Sequence, residues 1–111
     1  MDIKAILAAA ASVAKPEPYV IGGHTLYVRR FTCEQQADFI AACKAKNEKN
    51  ETITKFWVIA FGLCDEKNQP LFETPDDGES QLKGLLIEDQ EALEALVYRK
   101  LGIELEKSKK S

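Results

Sequence analysis

Apolar positions recur along this chain at two periods, and the changes between them mark out its elements. Ile3, Ile6, Leu7, Ala10 and Val13 stand at helical spacing and form one narrow stripe, which predicts an amphipathic helix within residues 1–15. Pro16 and Pro18 exclude its continuation and push their neighbours towards extended backbone. Tyr19-Val20-Ile21, a Gly22-Gly23 pair and the run His24 to Phe31 then read as a β-hairpin over 19–31, because glycine tolerates the positive φ of tight hairpin turns. On the longer strand Leu26 and Val28 fall on one side, with Thr25, Tyr27, Arg29 and Phe31 on the other. A lone hairpin is marginal in water, so it is expected to lean on helices.

Residues 32–103 read as a helical body. Thr32 and Gln35 stand three apart, as a capping box requires, and no proline or glycine interrupts before the polar stretch Lys46 to Glu51. Ala37, Ile40, Ala41 and Lys44 share one face of this helix, adjoined by Gln36, Phe39 and Cys43, and the helix is expected to be half buried. Thr52 to Cys64 is apolar nearly all round, with Ile53, Phe56, Trp57, Ala60 and Cys64 in helical register and Val58, Ile59, Phe61 and Leu63 on the remaining faces. Such a helix belongs at the centre of a domain or under an oligomer interface. After the polar turn Asp65 to Pro70, Leu71 and Phe72 are expected to fold back on the core. Thr74-Pro75-Asp76-Asp77 starts a helix, which Gly78 and Gly84 keep short and weak. Glu88 to Leu101 is a last amphipathic helix with Leu93, Leu96, Val97 and Leu101 on one face, stopped by Gly102. The fold class expected is mainly α: one small helical domain over 1–103, with an N-terminal hairpin packed on the helices and a flexible polar tail over 104–111.

Composition narrows the class. At 111 residues, 45% apolar and 30% charged, the chain fits one globular domain, and no apolar run approaches a membrane span. Ser12-Val13-Ala14 resembles a leader cleavage site, but Asp2 and an alanine-rich core favour the amphipathic helix. Three cysteines, Cys33, Cys43 and Cys64, with no tight pair argue against a disulfide scaffold and point to a reducing cytosol. With the single His24 they match no zinc spacing, so neither metal nor cofactor is expected. Charge is uneven: residues 65–98 carry 2 basic and 10 acidic side chains, whereas residues 99–111 carry 5 and 2. The acidic block is a poor nucleic-acid surface and reads as a solvated face or as a surface for a basic partner.

Catalytic chemistry finds no constellation here. One histidine has no acid–base partner beyond carboxylates, and those cluster at helix starts and on a loop, where capping and solubility explain them. Gly22-Gly23 lies in a hairpin and lacks the lysine and hydroxyl of a phosphate loop. Arg29-Arg30 beside Tyr27 and Phe31 is a small basic patch, read as a solubilising pair at a strand edge in preference to a nucleic-acid contact. No enzyme is expected.

The order of these segments resembles a known family. Leu26-Tyr27-Val28-Arg29-Arg30-Phe31-Thr32, followed by a helix with Glu34 and Phe39, is similar to the strand-to-helix opening of the tail assembly chaperones of long-tailed bacteriophages. Leu63-Cys64-Asp65-Glu66 and then Asn68-Gln69-Pro70-Leu71-Phe72 resembles their buried helix passing into an acidic turn. Asp76-Asp77 and Leu101-Gly102-Ile103 complete the order, and the resemblance covers residues 19–103. It implies a mainly helical, self-associating late protein of the host cytoplasm. Such a protein binds the tape measure protein, helps recruit the tail tube protein and is absent from the mature virion. It implies, too, a longer form made by ribosomal frameshift, for which the adjacent Lys109 and Lys110 are the candidate slip position. The alternative is a head–tail joining or minor tail protein retained in the particle. The candidate interaction surface is Ile3, Ile6 and Leu7 on the first helix, with Val58 and Phe61 on the outer faces of the apolar one.

Overall fold

The computed structural model describes residues 2–13 and 15–103. Val13 of the expected stripe, as a side chain, together with Ala14 and the Lys109-Lys110 pair, lies outside what it describes. Five α-helices and a three-stranded antiparallel sheet follow one another in the order α1 (Ile3–Val13), β1 (Glu17–Ile21), β2 (His24–Val28), α2 (Cys33–Glu48), α3 (Lys55–Gly62), β3 (Leu63–Cys64), α4 (Pro75–Glu79) and α5 (Ile87–Leu101). One 3₁₀ turn, Gln81–Gly84, joins the last two helices. Mainly α describes the chain.

The hairpin turns on two glycines, Gly22 at φ 55° and Gly23 at φ 81°, the positive pair that a tight two-residue turn needs to match strand twist. Its register sets Tyr19 opposite Leu26 and Val20 opposite Thr25. The first strand starts at Glu17, two residues before the expected run. Pro18 fits there because β1 is the free edge of the sheet, where a missing N–H costs no ladder bond.

β3 is the main departure from expectation. The apolar run was expected to stay helical to Cys64, but Thr54 caps it from the Trp57 amide and the helix ends at Gly62. Leu63 and Cys64 instead pair with Val28 and Tyr27, and the Leu71 amide donates to the Leu63 carbonyl on the other side. The ladder satisfies backbone groups that a buried helix end would leave without partners. Asp65 then tightens the turn by accepting from the amides of Lys67 and Gln69.

Around α3 the core gathers Val28, Phe39, Leu82, Leu93, Val97 and Leu101. Gly62 is where α3 meets α5 closely: a Cβ built there would stand 2.5 Å from Val97 Cγ2. The α5 face is the expected one. The α2 face is not, since Ile40, Ala37, Ala41 and Lys44 are exposed, while Phe39 is buried and Gln36, Ala42, Cys43 and Lys46 half-buried. Phe39 decides the rotation, because burying its ring outweighs what the alanines offer. Leu71, expected to fold inward, is exposed, whereas Phe72 packs against the core under Gly78. The expected capping box of Thr32 with Gln35 forms, and Thr74, expected as a helix start, forms a second one with Asp77.

Candidate functional site

Two surfaces stand out once the core is accounted for. The first is α1. Asp2 starts this helix, its carboxylate accepting from the Lys4 amide and its carbonyl from Ile6. Past that cap, Ile3 is 64% exposed, Ile6 44% and Leu7 60%, so these three residues of the stripe that predicted the helix face solvent. An amphipathic helix gains most of its stability from packing that stripe, and here Ile3, Ile6 and Leu7 are left exposed by the described residues.

The other two residues expected on this surface lie elsewhere. Val58 is 1% exposed and sits in the core, which corrects its assignment to an outer face. The all-round apolar character of α3 is used up by α4, the 3₁₀ turn and α5, leaving no free side at that position. Phe61 is half-buried at the middle of an aromatic cluster. Its ring stacks on Phe39 with centroids 5.0 Å apart, and Phe31 and Trp57 lie at 5.7 Å and 6.2 Å. It joins elements of this chain and presents only part of its surface, to a cleft beside the cluster.

The second surface was not foreseen. Arg29, read from sequence as a solubilising residue, is half-buried, with its guanidinium 4.9 Å from the Phe31 ring centroid and 5.6 Å from that of Phe61. Nη1 donates to the Phe61 carbonyl at 3.2 Å, while Nε is buried with no protein acceptor. Burial pulls the guanidinium pKa down from its usual value. A cleft of about 120 Å³ opens beside it, lined by Arg29, Ala60, Phe61, Pro70, Phe72, Glu73 and Pro75. Arg30 is the exposed member of the pair, its backbone held at both ends by the Asn68 side chain. Both arginines follow the last residue of β2, and alternation carried on past the strand does not say which of them is covered.

Other polar groups pair across the fold. The Tyr19 hydroxyl donates to Asp89 at 2.9 Å, a bond that raises the phenol pKa. Lys100 reaches Glu17 at 2.6 Å, and this hydrogen bond holds the carboxylate below its usual range. Cys33 is exposed, whereas Cys64 is buried and its thiol is pushed up to about 11 by burial. Among the described residues no group of His, Cys, Asp or Glu is placed to hold a metal ion, and no helix is long and apolar enough to cross a membrane. Comparison with family models, with curated proteins and with solved structures finds no match to this chain.

Proposed function

We propose that this chain is a non-catalytic assembly chaperone of a long-tailed bacteriophage, working in the cytoplasm of the infected or lysogenic host and absent from the finished virion. Its client on this reading is the tape measure protein, long, helical and prone to aggregate, around which it helps recruit tail tube subunits. The observation that carries the reading is the uncovered stripe of Ile3, Ile6 and Leu7 on α1. A preformed apolar helix face is what a helical client docks against, at i, i+3 and i+4 anchors. The resemblance over residues 19–103 supplies the identity of that client; the exposed stripe supplies a means of holding it.

In this proposal the hairpin is part of the body, docked on α5. The Tyr19–Asp89 hydrogen bond and the Glu17–Lys100 ion pair support that arrangement. Copies of the chain associate through the same α1 face, and a longer form made by slippage at Lys109-Lys110 joins them. The test is co-expression with the tape measure gene product from the same phage genome. The wild type keeps the client soluble and co-purifies with it, whereas the triple variant Ile3→Ser, Ile6→Ser, Leu7→Ser stays folded and loses it. Equal recovery of client with that variant refutes the α1 assignment. Mass spectrometry of purified virions decides between a chaperone and the alternative, a joining or minor tail protein, since only the latter is retained. Synonymous recoding of the two lysine codons removes a longer product if they are the slip site.

A further inference from the structure

We infer that the cleft beside Arg29 is a specific pocket for an acidic side chain, a glutamate by size, presented by a partner protein. Arg29 is a half-buried cation with no neutralising anion. No carboxylate among the described residues comes within ion-pairing distance of it. The acidic group that acts on it electrostatically is the Cys64 thiol, which burial keeps neutral at pH 7. A guanidinium carries five N–H donors, and the protein uses one of them, towards the Phe61 carbonyl. Unpaired buried charge is costly, so an anion that completes this site gains more from the pairing than it would at an exposed arginine.

Contacts with the rings of Phe31 and Phe61 and the hydrogen bond to the Phe61 carbonyl hold the guanidinium in place, which leaves its remaining donors little freedom to lose on binding. Ala60, Pro70, Phe72 and Pro75 give the cleft apolar walls suited to the methylene stem of the ligand. A cavity of roughly 150 Å³ admits benzene. The volume of about 120 Å³ therefore suits a carboxylate on a short carbon stem. Glu73 on the lining selects among anions: it adds a negative charge that a dianionic phosphate tolerates less than a monoanionic carboxylate. This inference does not rest on the client proposed above, and its test uses neither phage component.

The experiment is a titration of the full chain, labelled with ¹⁵N, at pH 7 and low salt, following the arginine Nε–Hε signals and, in every variant, the backbone amides of the cleft residues. The probes are the blocked peptide acetyl-Ala-Glu-Ala-amide, its glutamine counterpart and inorganic phosphate. The glutamate peptide shifts the Arg29 signal saturably and the glutamine peptide does not, while phosphate binds more weakly. Arg29→Lys loses at least about tenfold in affinity, since an ammonium cannot keep the stacked bidentate geometry. Because that variant disturbs the aromatic cluster, Glu73→Gln on the exposed rim is the second arm. Removing one like charge from the lining tightens the glutamate peptide by about threefold, the effect in water of a unit charge at a separation of roughly 5–6 Å. Equal shifts with the glutamine peptide, tighter binding of phosphate, or unchanged affinity in Glu73→Gln each overturn the assignment.

Discussion

Val58→Asp separates a core position from an interface position, and the structure puts a size on the difference. Val58 is 1% exposed, so the change forfeits the full burial of a valine, about 1.5–3 kcal/mol. Inside the core the new carboxyl is held protonated. At pH 7 that costs about 4 kcal/mol, from 1.36 kcal/mol per unit over the roughly three units above an ordinary aspartate pKa of about 3.9. Together these reach ~6–7 kcal/mol, comparable with the whole stability of about 5–15 kcal/mol typical of a folded domain. The sign with pH follows from linkage. The folded pKa of the new group lies above its unfolded value, so the folded state binds the extra proton, and stability is lost as pH rises. Relative to wild type at each pH, the variant recovers most of the ~4 kcal/mol when the pH is brought down to about 4. Thermal unfolding followed by circular dichroism, at pH 7 and pH 4.5 with wild type alongside, measures both effects. Ile6→Asp is the control: at 44% exposure it costs under about 1 kcal/mol and shows no acid recovery. A Val58→Asp protein that melts like wild type at pH 7 but sediments as a smaller species would place Val58 in an interface and refute its place in the core.

Three further outcomes are expected. Gly62→Ala destabilises by about 1–2 kcal/mol in urea unfolding, because the new methyl meets the buried, β-branched Val97 at 2.5 Å and that clash exceeds the gain of alanine over glycine near a helix end; net stabilisation would show that Val97 yields. Cys33 reacts with a thiol reagent at pH 8 within the mixing time of a bench assay, while Cys64 reacts only as fast as the protein unfolds; the stability advantage of wild type over Cys64→Ala then shrinks as pH rises from about 9 through about 11, since the folded thiol pKa lies above the unfolded one. Thr32→Ala and Thr74→Ala each lose a capping box and about 0.5–2 kcal/mol, read as a shift of denaturation midpoint at unchanged slope, and a change in slope would mean that more than a cap was lost.

Local chemistry made several elements legible. Caps at Thr32 and Thr74, the glycine pair of the hairpin and the prolines after α1 act within a few residues, so composition and spacing carry their signal. The α5 face was legible too, because its leucines leave only one way to turn it inward. What composition could not show is where a long apolar run changes from helix to strand. Nothing in Leu63-Cys64 marks the switch, which depends on β2 lying alongside with free ladder positions, a partner more than thirty residues away. The α2 face failed for a related reason. Alanines on one side and a single phenylalanine on the next are nearly balanced by periodicity, and only the aromatic cluster around Phe61 breaks the tie.

The two candidate surfaces differ in the same way. On α1 the stripe of Ile3, Ile6 and Leu7 is read directly from spacing, since a helix with one apolar face has that face whether or not anything covers it. The cleft depends on contacts that spacing does not encode. Arg29 and Arg30 are adjacent and chemically identical, yet the Arg29 amide donates to the Gly62 carbonyl and its guanidinium lies against two neighbouring rings, while Arg30 stays in water. Pairing β2 with β3 is what separates them: just past the strand the Arg29 amide is held on the Gly62 carbonyl and its guanidinium on that of Phe61, while the next residue, Arg30, is exposed. A pair that looks like solubilising charge in the sequence thus becomes one surface cation and one half-buried donor, and the pocket exists because the helix gives way to strand at Gly62.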